Sequence, residues 1–282
     1  MGYKAFNKGM ICKGKQYAEN SVFEESGADS CCEKGAMHYC ETPFDCLDYY
    51  PIVDGNGDFT EFAEVEPLDK VLIQDNKRAT KKLKIGAKLS FKNFIKAGIS
   101  VLVESTKDIP NGENSSGNGA KIGSSGNGAQ IGSSGDVAKI GSSGDGAQIG
   151  SSGDGAQIGS SGNWAQIGSS GDVAKIGSSG DVANIGSSGN WAQIGSSGDG
   201  AKIGSSGDGA KIGSSGDGAV VSAIGYNSAI KAKTGSWIVL AEYDEDSKPV
   251  CVRAAQIDGE KLKPDTFYTL KNGEFTETEM ED

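Results

Sequence analysis

From residue 115 to residue 222 the chain repeats one nine-residue pattern, Ser-Ser-Gly-Asp/Asn-x-Ala-x-Ile-Gly, twelve times without an insertion or deletion. Within a unit such as 172–176, alanine and isoleucine alternate with variable residues, the period-two signature of a strand with one buried face. Ala and Ile are therefore expected inside, with Gly, Val or Trp and then Lys, Gln or Asn outside. The Gly-Ser-Ser-Gly-Asp stretch supplies two glycines for positive φ and an Asx side chain that bonds to nearby backbone, so it predicts the corner.

A repeat this regular predicts a solenoid in which identical residues stack about 4.8 Å apart. Two units per coil would make a flat sandwich and three a triangular prism. A thin Ala/Ile core fills the sandwich more easily, although only the prism would stack Trp164 directly on Trp191.

The flanks read as conventional sequence. Residues 62–65 and 83–89 alternate like strands, Ser90 is placed to cap a short helix with Phe91, Phe94 and Ile95 on its apolar face, and 99–103 is again strand-like. Residues 106–114 read as the junction into the array. After it, the register decays over 223–230, as expected of a cap over a solenoid end. Strands are expected at 236–241 and 250–257, with a hairpin over 266–278 turning at Asn272-Gly273, together a small antiparallel sheet. The fold class expected is all-β dominated: a nonapeptide-repeat β-solenoid (β-roll or β-helix) over 111–222, between an α+β domain at 1–110 with a cysteine-rich start and a cap with its sheet at 223–282.

Specific motifs in both flanks carry a resemblance. They are Lys4-Ala5-Phe6-Asn7-Lys8, the run from Cys32 through His38 and Cys40 to Pro43-Phe44-Asp45, Gly235-Ser236-Trp237-Ile238, and Asp258 through Pro264 to Tyr268. With these the chain resembles an uncharacterised family of bacteriophage and prophage proteins whose N- and C-terminal flanks enclose a variable number of nonapeptide repeats. Ala36 stands where the family pattern has an aromatic, and the Ser-Ser-Gly turns replace threonine-rich ones. The resemblance implies a phage origin and a flank-plus-solenoid plan, and it implies no activity.

Charge narrows the functional classes. The net charge is −11, the acidic excess is spread along the chain, and only Arg78 and Arg253 are arginines among 27 basic residues. No basic patch supports nucleic-acid binding. No apolar run reaches the ~20 residues of a spanning helix, and the N-terminus lacks a signal-type stretch, so a soluble protein of the host cytoplasm, without a membrane partner, is expected.

Reactive side chains concentrate at Cys12, Cys31, Cys32, His38, Cys40 and Cys46. Of these, Cys31, Cys32, His38, Cys40 and Cys46 are weak candidates for a zinc site, because they lack paired Cys-x-x-Cys knuckles and because free cysteines are commonly buried packing residues. The array also resembles the calcium-binding nonapeptide rolls of secreted toxins. Its Asp is displaced by one residue, however, and Asn118, Asn127, Asn163 and Asn190 each remove a ligand charge. No cofactor is expected.

The remaining signal is aromatic and aliphatic. Val137, Trp164, Val173, Val182 and Trp191 occupy an outward position that is glycine in the other seven units, and they predict an apolar protein-binding patch. Without a catalytic constellation, the expectation is a non-enzymatic binding protein directed at a host or phage protein, such as a defence component. Alternatives are a virion or filament component built as a homo-oligomer, and a nucleotide- or metal-binding protein acting through the N-terminal domain.

Overall fold

A computed structural model describes residues 1–26, 35–54, 59–74, 77–106, 114–115 and 117–278. The expected junction at 106–114 lies almost wholly outside them. Among the described residues no helix is long and apolar enough to cross a membrane.

The array is a β-solenoid with two units per coil. Successive rungs of each sheet pair in parallel 18 residues apart, as in Ile140 with Ile158 and Ile167 with Ile185. Alternate units therefore fall on opposite faces and build two sheets. One runs from Lys121–Ser124 through Lys211–Ser214 to Ala229–Lys231, the other from Gln130–Ser133 through Lys202–Ser205 to Val220–Ala223. Between them lie the Ala and Ile ladders, with Ala138, Ala156, Ile140 and Ile176 fully buried, and an inward column of strand-end serines such as Ser142 and Ser160.

The strand begins one residue before Ile and runs through the first Ser, as in Lys175–Ser178. The corner is correspondingly displaced from its expected place. Positive φ falls at the residue after Asx, for example Gly146 at 66° and Val173 at 57°, and not at the Ser-Ser-Gly glycine. That glycine is required for a different reason. A Cβ at Gly171 would stand 2.1 Å from the carbonyl oxygen of Gly153 on the preceding coil, so the corners stack backbone on backbone.

The N-terminal region forms a seven-stranded antiparallel sheet, in the order Ser21–Glu24, Lys82–Leu89, Glu61–Pro67, Gly2–Phe6, Met37–Cys40, Lys77–Thr80 and Val71–Gln74. An α-helix, α1 (Phe91–Thr106), follows it. The Ser90 hydroxyl accepts the N–H of Asn93 at 3.2 Å, the expected cap. The strand expected at 99–103 is instead the second half of this helix. Ile95, Ile99 and Leu102 continue its buried stripe at i, i+4 and i+7, and packing along the solenoid overrides the strand preference of Ile and Val. On the sheet side, the rings of Phe62 and Phe94 stack at 3.6 Å.

The C-terminal flank is not a separate sheet. Trp237–Tyr243 adds in parallel to Val220–Ala223 and pairs with Pro249–Gln256, so one solenoid sheet ends in an antiparallel pair. The hairpin of Tyr268–Lys271 and Glu274–Glu277 closes the other, turning through Asn272 and Gly273 at φ 53° and 74°.

Candidate functional sites

Two surfaces and one cavity could carry function. The surfaces follow from the repeat. The glycine of each Ile-Gly pair faces outward, and on both sheets a row of such glycines leaves a shallow trough. On the sheet containing Lys139–Ser142 this trough is filled. Leu102 and Val103 meet Gly123, Ile99 meets Gly141, Phe44 meets Gly159, Ile95 and Phe91 meet Gly177, and Ile52, Phe59 and Phe91 meet Gly195. From Phe91 to Val103 the helix rises about 18 Å, and the four steps from Gly123 to Gly195 cover about 19 Å. Helix and ladder are similar in length, the helix packing most closely at the Gly123 end and Phe44, Ile52 and Phe59 completing the cover over Gly159 and Gly195.

Polar contacts fix the same interface. Lys139 Nζ lies 2.6 Å from Asp45 Oδ1 and 3.2 Å from Asp48 Oδ2, and Gln157 donates to Asp48 Oδ1 at 2.5 Å. Lys175 donates to the Leu47 carbonyl, and Gln193 Oε1 accepts the Ile52 N–H at 3.1 Å. The Asp45 and Asp48 carboxylates hold the Lys139 ammonium above the usual lysine range against the opposing effect of burial, which is the largest single influence. These Lys and Gln side chains, expected in solvent, are interface residues on this sheet. The two flanks also meet, with Lys231 Nζ 5.3 Å from the Phe59 ring and 5.5 Å from that of Phe267.

Among the described residues nothing covers the opposite sheet, the bare face. A Cβ built at Gly150, Gly168, Gly186 or Gly204 would meet nothing within 4 Å, and Gln148, Gln166, Asn184 and Lys202 beside them are exposed. The five predicted binding residues are all exposed, from 39% for Val182 to 60% for Trp164. They do not form one contiguous patch, because the two-unit coil puts Trp164 and Val182 on one edge and Val137, Val173 and Trp191 on the other. The separation has its own order. Rung Gln166–Ser169 is bracketed by Trp164 and Val173, and the next rung, Asn184–Ser187, by Val182 and Trp191. Each of these two adjacent rungs therefore carries one Trp and one Val, on alternating edges of the bare face.

The Asx ladder is occupied by the fold itself. On each edge an Asx Oδ1 accepts the N–H of the corner residue one coil on, as in Asp172 to Asn190 at 2.7 Å and Asp181 to Asp199 at 3.0 Å. Asn presents the same acceptor, as Asn163 does to Asp181 at 2.8 Å. The interchange of Asp and Asn between units has this structural cause, and no metal is needed to explain it.

Part of the cysteine cluster comes together in the N-terminal sheet. Lys4, on the central strand, is buried there; its ammonium donates to the His38 carbonyl at 2.8 Å and to Cys12 Sγ at 3.4 Å. Tyr50 donates its phenol to the same sulfur at 3.1 Å. Burial lowers the Lys4 pKa, the nearby Cys12, Cys46 and Cys40 thiols opposing it, and burial pushes the Cys46 thiol up. Cys40 and Cys46 are buried and His38 is half-buried, while Cys31 and Cys32 lie outside the described residues. Among the described residues no three His, Cys, Asp or Glu side chains converge as a metal site. Sequence reasoning missed Lys4, Tyr3, Tyr49 and Tyr50 here, since nothing in the local pattern marks a lysine as buried.

Residues 1–97 match the model of a domain of unknown function, DUF7666. The match spans the N-terminal sheet and the first half of α1 and ends before the repeats. No curated protein matches the chain, and no solved structure does.

Proposed function

We propose that this is a non-enzymatic, phage-encoded binding protein that presents the bare solenoid face and its two apolar edges to a host or phage protein in the host cytoplasm. The reading is supported by backbone conformation. Val137, Trp164, Val173, Val182 and Trp191 all sit at φ 55–57°, at a corner position where seven of the twelve units have glycine. Left-handed backbone costs a residue with a Cβ roughly 1–2 kcal/mol, more when it is β-branched. Bulky apolar residues at such positions weaken the fold locally, and strain of this kind collects where a protein binds. Here it brackets two adjacent rungs of the face that the described residues leave open.

Capture from phage-infected cells tests the reading, comparing wild type with Gly168→Glu plus Gly186→Glu on the face and with Trp164→Ser plus Trp191→Ser on the edges. Since the face glycines have open space, the first variant is expected to fold and to lose the partner. Retention of the same partner by both variants contradicts the proposal. The filament reading has less support, because the hairpins that end both sheets leave no continuing parallel rung at the C-terminal end.

A further inference from the structure

The cavity beside Lys4 has a composition unlike that of the rest of the molecule. It encloses about 250 Å³ and is lined by Tyr3, Tyr39, Tyr49 and Tyr50, by Lys4, Lys13 and Lys77, by His38, and by Ala5 and the thiols of Cys12, Cys40 and Cys46. Acidic residues outnumber basic ones 38 to 27 in the chain, yet among the described residues no carboxylate lines this cavity, Glu25 lining only the adjoining one. Lys4 closes its floor with an ammonium that donates to a carbonyl and a sulfur and lies 5.2 Å from the Tyr17 ring centre and 5.5 Å from that of Phe6. At the mouth Lys13 is exposed, and Lys77 holds its ammonium 4.3 Å from the Tyr49 ring centre. With one cation at its floor and two at its mouth, the cavity favours an anion.

We infer that this cavity is a binding site for a small anion of the nucleoside monophosphate class, its flat base among the tyrosines and its phosphate at Lys13 and Lys77. The volume supports the size. It falls just below the ~300 Å³ at which pockets for drug-sized ligands begin, enough for a base and sugar with the phosphate at the rim and too little for a dinucleotide. Tyrosine faces stack on any base, and lysine meets phosphate as a mobile point charge, which suits a rim. The site is independent of the solenoid face, so either proposal can fail without the other.

Calorimetry on the full chain tests it with AMP, GMP, CMP and UMP, against adenosine, ribose 5-phosphate and inorganic phosphate. At least one nucleotide is expected to bind with a Kd below ~1 mM and at least tenfold more tightly than its fragments. Lys77→Glu and Lys13→Glu, both near the surface, are each expected to weaken it about tenfold or more. Absence of binding by all four nucleotides, equal binding of inorganic phosphate, or nucleotide binding unchanged in both lysine variants would each overturn the inference.

Discussion

Gly123 lies so close to the backbone of Leu102 that a Cβ on it would stand 2.6 Å from the Leu102 carbonyl carbon, whereas a Cβ at Gly168, the same repeat position on the other sheet, would meet nothing within 4 Å. Gly123→Ala must push α1 off the ladder, and overpacking of this kind costs about 1–3 kcal/mol. Gly168→Ala should be neutral or stabilise by a few tenths, because alanine restricts the unfolded chain. Chemical denaturation of the two variants checks this, and equal losses would contradict the assignment of faces.

The Asx ladder makes a second paired prediction. Asp172→Asn keeps an oxygen for the Asn190 N–H and should leave stability nearly unchanged. Asp172→Ala removes that acceptor and should cost about 1 kcal/mol. Calcium should raise the melting temperature of neither protein.

Replacing a strained corner residue should strengthen the fold. Val173→Gly relieves left-handed backbone at 57°. The gain is offset in part by the greater freedom of glycine in the unfolded chain, leaving about 0.5–1 kcal/mol. Trp191 is a more demanding case, because its ring lies over Gly209, where a Cβ would come within 2.4 Å of it. Trp191→Gly loses that contact along with the strain and should gain less. Thermal unfolding of the two variants ranks them.

Lys4 gives the molecule a pH signature. Its folded pKa is depressed by burial, against the raising influence of Cys12, Cys46 and Cys40. The folded state therefore releases this proton at lower pH than the unfolded chain does. Stability should climb as pH rises from the depressed folded value toward the ordinary lysine range. The nearby Cys46 thiol and the facing phenols of Tyr17 and Tyr50 are raised by burial and act in the opposite direction above their ordinary pKa values of ~8.5 and ~10. The rise is thus best measured below about pH 8.5, before the thiol begins to oppose it. Lys4→Met, which keeps the apolar stem without the charge, should abolish it and be at least as stable as wild type at neutral pH.

The sequence made the solenoid, its Ala and Ile interior and the exposure of the five corner residues legible, because a nine-residue period leaves few ways to bury Ile140 and Ile158 together. It could not tell the two faces apart. Gly168 and Gly177 sit in the same local sequence, Ile-Gly-Ser-Ser-Gly-Asp, and only the helix packed over one of them distinguishes the pair. The same helix explains the misread strand at 99–103: Ile99 and Val103 are strand formers locally, and a ladder to lie along is a tertiary fact. The left-handed position was misplaced because glycine stands at both ends of the corner, with φ deciding one and backbone stacking the other. The cavity was half visible, with cysteines and His38 marked by their rarity and Lys4 hidden among 27 basic residues.

Amine-reactive footprinting of the native protein tests the two-faced solenoid directly, since lysines occupy the same repeat position on both sheets. Lys202 on the bare face should acetylate rapidly, while Lys139 and Lys175, held by Asp45, Asp48 and Leu47, should react far more slowly. Similar rates at all three lysines in the folded protein would contradict the account.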